Sequence, residues 1–80
     1  MVMADLPSPE ENASLILKIF AHFHCRPGDV LLVKNFVSYA ANNHIESSDI
    51  NQGLQKAFEL GWIEDSKGDF KLTKLGYSQM

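Results

Sequence analysis

Apolar positions recur at helical spacing in three stretches of this chain and alternate with polar ones in a fourth. The clearest helix starts at Ser47. Ile50, Gly53, Leu54, Ala57, Phe58 and Gly61 follow at the i, i+3, i+4, i+7, i+8 spacing of one buried face. The opposite face, Ser48, Asn51, Gln52, Gln55, Lys56 and Glu59, is polar throughout. Ser47 or Ser48 can accept a hydrogen bond from a free N–H at the helix start, and Asp49 suits the positive end of the dipole. Gly61 tolerates the positive φ that ends such a helix. Beyond it, Trp62 to Asp65 and Asp69 to Leu72 alternate in polarity around Ser66-Lys67-Gly68. That pattern predicts a β-hairpin with a three-residue turn, and Thr73 can cap a last short helix over Lys74 to Gln79.

Upstream, Ser8-Pro9-Glu10-Glu11 is a helix start: Ser8 caps, Pro9 fits the first position, and Glu11 reaches back to the Ser8 amide. The helix is expected from Pro9 to about His24, ended by Arg26-Pro27-Gly28. Its stripe of Ala13, Ile16, Leu17, Phe20 and Phe23 is widened by Leu15 and Ile19, two outward positions that a partner subunit could cover. A short strand is expected at Val30 to Leu32, although a helix beginning at Asp29 is a competing reading. The second helix runs from Val33 or Lys34 to Ala41, burying Phe36, Val37 and Ala40. Asn42-Asn43 can close it in a left-handed conformation, and Ile45 packs beneath the turn. Leu60, Phe70 and Leu72 belong to the core. With Ile63 pointing inward, Trp62 lies at the edge, either as a partner anchor or as cover for the first helix. Residues 1–7 read as a flexible lead, followed by one domain over residues 8–80.

Helix, Leu60-Gly61-Trp62-Ile63, hairpin, Leu72-Thr73-Lys74-Leu75-Gly76: over about residues 30–80 this order resembles the winged helix-turn-helix superfamily, in particular small bacterial transcriptional regulators. The resemblance implies an α+β fold, a three-helix core with a short strand and a C-terminal β-hairpin wing. It also implies double-stranded DNA as partner. The third helix (about 47–60) would enter the major groove, with Ser48, Asn51, Gln52 and Gln55 at base edges and Lys56 near a phosphate. Lys67 at the hairpin tip, supported by Lys71 and Lys74, would touch the backbone as the wing.

Charge complicates that expectation. The chain carries −3, the wrong sign for a simple nucleic-acid binder. Asp5, Glu10 and Glu11 account for it, and residues 12–80 hold seven bases and seven acids. Only the C-terminal segment, with Lys67, Lys71 and Lys74 against Asp69, is mildly basic. A second function therefore stands beside the first: a winged-helix domain that binds protein, or a second copy of itself, through Leu15, Ile19 and Trp62.

Catalysis is not expected, because no paired carboxylates, phosphate loop or nucleophile triad can be assembled and no cofactor motif is present. His22 and Cys25 are three apart, but the four ligands of a structural zinc site are missing, so no metal is expected. The lone Cys25 excludes an internal disulfide and fits a reducing compartment. The start has no basic leader, and the apolar run Leu15 to Ala21 is broken by Lys18 and too short to cross a bilayer. A cytoplasmic location is the expectation.

Overall fold

The computed structural model describes residues 8–80, so the expected N-terminal lead lies outside the described residues. The elements are α1 (Pro9–His22), β1 (Val30–Leu31), α2 (Val33–Asn42), α3 (Ser47–Glu59), β2 (Ile63–Ser66), β3 (Asp69–Leu72) and α4 (Lys74–Ser78). The three strands form one antiparallel sheet in the order β1-β3-β2. The architecture is α+β, with four helices and this small sheet, in the expected order of elements.

α1 begins as its sequence dictates. Ser8 Oγ accepts from the Glu11 N–H at 3.1 Å, and Glu11 Oε1 accepts from the Ser8 N–H at 2.9 Å. Its end lies earlier than expected. His24 takes φ +58°, its N–H donates to the Ala21 carbonyl, and the Cys25 N–H donates back to Phe20 (3.0 Å each). This is a left-handed cap with paired 5→2 and 6→1 bonds, formed before Arg26-Pro27-Gly28 is reached. α3 stops by the same device at Gly61 (φ +76°), where Trp62 N–H donates to Ala57 at 2.9 Å. α2 does so at His44 (φ +56°), where Ile45 N–H donates to Ala40. The left-handed residue is thus His44, not Asn42 or Asn43.

Two other local expectations are corrected. Ser47 and Ser48 lie inside α3, and the cap position is Glu46, whose carbonyl accepts from Asp49 and Ile50 without any side-chain cap. The hairpin turn has two residues, since Ser66 pairs with Asp69. Lys67 and Gly68 both take positive φ (+54° and +89°), the twist that matches flanking antiparallel strands. Asp69 then supplies what Leu32 cannot: its Oδ1 accepts the Val33 N–H at 2.9 Å and caps α2. Thr73 caps α4 through the Gly76 N–H and donates its hydroxyl to the Gly61 and Trp62 carbonyls.

Ala13, Ile16, Ile19, Phe20, Phe36, Ala57 and Leu72 form the centre of the core. Phe20, Phe36, Phe70 and Phe58 run from it toward the surface as edge-to-face pairs, with centroids 5.5 to 5.7 Å apart. Phe58 and Phe23 reach solvent, and Leu60 and Phe70 are half-buried instead of enclosed. Val37, expected inside, is 64% exposed. α2 buries only the narrow row of Phe36 and Ala40, four residues apart, and Val37 lies one step round the helix from it.

α1 and α3 meet where Gly53 lies against the main chain of α1. A Cβ there would overlap the Asn12 carbonyl and press on Ile16. Gly53→Ala is therefore expected to cost about 1–3 kcal/mol despite its better helix propensity, measured by urea unfolding. His44→Gly should act oppositely, raising stability by about 1 kcal/mol in the same assay, because the left-handed backbone then carries no Cβ.

Candidate interaction surfaces

The expected recognition row of α3 divides when its residues are placed. Ser48, Asn51 and Gln55 are exposed and make no side-chain hydrogen bond among the described residues. Gln52 is exposed but engaged: the buried Asn12 donates its side-chain N–H to Gln52 Oε1 at 2.7 Å. A glutamine reads adenine by donating and accepting at once. With its oxygen already accepting from Asn12, Gln52 is fixed in orientation and has one acceptor site fewer to offer a base. Lys56, the one base of α3, lies between Glu10 and Glu59 with Nζ 3.7 Å from each carboxylate. Two acids thus offset the charge assigned to a phosphate, and Glu46 and Asp49 add more negative charge to the same helix.

Of the hairpin lysines, Lys71 does not face that helix. Lys67 is exposed at the turn. Lys71 is in register with Glu64 on β2 and Val30 on β1, so the three share one face of the sheet. Leu72 beside it is buried among the helices, which puts Lys71 on the opposite face.

The expected protein-binding residues fare differently from one another. Ile19 is fully buried, so it is not an outward position at all. Leu15 and Trp62 are half-buried and packed on the core. α1 is covered on two sides because α3 lies along it and α2 meets it through Phe36 against Phe20, which is why its apolar stripe is wide. The apolar surface left open is elsewhere. A groove of about 340 Å³ runs between α2 and α3, lined by Val33, Val37, Ala41, Ile45, Ile50 and Leu54. Val33 and Val37 stand exposed along it. The sequence signal was present in Val33-Val37-Ala41, spaced at four residues, but a helical stripe reads as core until its neighbours are known.

His22 packs edge-on against Phe23 and Tyr39 (4.9 and 5.1 Å between centroids). Among the described residues no three His, Cys, Asp or Glu side chains cluster as metal ligands. No helix among them is long and apolar enough to cross a membrane. Cys25 is buried, and burial pushes its thiol pKa up, with the Asp29 charge adding to the effect. A reactive thiolate needs the reverse.

The raised thiol pKa has a thermodynamic consequence. The folded chain holds this proton more tightly than the unfolded chain does, so stability falls as pH rises through the alkaline range. Urea unfolding from about pH 8 upward should show a steeper loss for the native chain than for Cys25→Ala. Equal slopes would contradict the assignment.

Compared with known protein families, curated proteins and solved structures, the chain matches none.

Proposed function

We propose that this chain is a protein-interaction domain of winged helix-turn-helix type, and that the α2–α3 groove receives an apolar segment of its partner. The order of short strand, two helices, hairpin and capped last turn supports the winged-helix reading. The observation that carries the function is the groove itself, with Val33 and Val37 left in solvent beside Ile45, Ile50 and Leu54. An exposed apolar patch is informative where an exposed polar helix face is not. Covering the open part of each valine contributes roughly 1–2 kcal/mol. After the cost of association, that suits a reversible interaction.

Duplex DNA is the second reading, favoured by the exposed and unengaged Ser48, Asn51 and Gln55 on α3. It is the weaker of the two. Phosphate contacts supply most of the affinity for DNA, and here Lys56 is flanked by carboxylates while Lys71 lies on the far face of the sheet.

Peptides selected from a display library against the whole chain should share apolar residues at helical or alternating spacing. Val37→Lys is expected to weaken them at least tenfold, read by fluorescence anisotropy. Unchanged affinity would remove the groove from consideration. In the same instrument, a labelled mixed-sequence duplex should show no steep, salt-sensitive binding. Binding at low salt that collapses as salt rises would reverse the order of the two readings.

A further inference from the structure

The two edges of the sheet are built differently. β2, at one edge, carries Glu64 and Asp65 exposed. A second copy pairing there would bring carboxylates together across the axis, and charge of this kind guards edges against pairing. β1, at the other edge, carries no charge and no proline. Val30 is 42% exposed, and Leu32 just beyond the strand is 41% exposed.

The backbone of β1 is open on the same side. The Leu72 N–H donates to the Asp29 carbonyl at 3.0 Å, and the Leu72 carbonyl accepts from Gly28 at 2.8 Å in place of Asp29, so the ladder bond before Val30 falls at the Asp29–Leu72 position. Antiparallel ladders alternate, so Leu31 with Phe70 is the next such position and Val30 with Lys71 is not. The N–H and C=O of Val30 therefore point away from β3, into the space beside the sheet.

We propose that β1 pairs antiparallel with β1 of a second copy of this chain about a two-fold axis at Val30. One residue presents both a donor and an acceptor at this edge, so the two copies satisfy each other: each Val30 N–H donates to the other's Val30 carbonyl. Such self-complementarity is what a two-fold interface requires. The Val30 side chains meet across the axis on the face away from the core, and Leu32 extends the apolar contact. Charge permits the arrangement. The two copies of Lys71 stand three strand spacings apart, about 14 Å, beyond the screening length of about 8 Å at physiological salt. Each also has Glu64 across from it on β2. A two-residue strand makes a small interface, so the dimer is weak, with Kd on the order of 0.1 mM. This assignment is independent of the groove and of what the groove binds.

Sedimentation equilibrium of the whole chain up to about 1 mM, well above that Kd, tests it. The expected result is a monomer–dimer equilibrium that Val30→Lys weakens at least tenfold, because two ammonium groups then meet on the axis. Val30→Pro removes the donor on the axis without touching a bond of the chain's own sheet, and should have the same effect. Circular dichroism verifies that each variant is folded, and Val30→Lys alone suffices if the proline variant is not. Val37→Lys should leave the equilibrium unchanged. A chain that stays monomeric at about 1 mM, a dimer indifferent to Val30→Lys, or a dimer dispersed by Val37→Lys would each overturn the proposal, the last by placing the second copy in the groove.

Discussion

Gly53 lies against the main chain of Asn12, and this close approach of α3 to α1 conditions most of what surrounds it. Without a side chain at that point, the two helices draw together until Ile16, Leu54 and Ala57 interlock. The same proximity lets the buried Asn12 satisfy its amide on Gln52 and brings Glu10 within reach of Lys56. An asparagine placed that deep is costly without a partner, so the Gln52 contact is structural before it is anything else. The charge and hydrogen-bonding capacity of α3 are thus partly consumed by the helix that α3 packs on.

The ends of the elements show how a chain of this size holds its shape. Three helices terminate in a left-handed residue followed by a bond reaching back over the last turn. Only Gly61 is suited to it by type. His24 and His44 adopt the same backbone at some energetic cost, which the following Cys25 and Ile45 offset by packing inward. On the far side, Asp69 and Thr73 tie the hairpin to α2 and to the end of α3. The sheet is small, yet each of its two ends is fastened to a helix.

What remains free is apolar in the α2–α3 groove, at the β1 edge and along α4 and the chain end (Leu75, Tyr77, Met80), and acidic around α3. The α2–α3 groove and the β1 edge expose valine and leucine that no part of the described chain covers, whereas the β2 edge is protected by carboxylates. The proposed protein-interaction reading rests on that asymmetry. The groove and the β1 edge are separate surfaces, since Val37 lies on α2 and Val30 on the sheet.

The sequence by itself determined the order and type of every element except β1, for which a helix from Asp29 stood as the alternative, because each of the others rests on local physics. The Ser8 capping box, the period of Ile50-Leu54-Ala57, Gly61 after Leu60, and the alternation around Lys67-Gly68 all act within a few residues. Tertiary structure decided the rest. Whether Ile19 or Val37 is buried depends on how many neighbours each helix meets: α1 meets two and α2 covers one narrow row. Whether Gln52 and Lys56 are free depends on Asn12 and Glu10, forty and more positions away in the chain. Helical periodicity states which residues share a face. Only the packed neighbours settle whether that face is core, an engaged polar seam or a surface left open for another molecule.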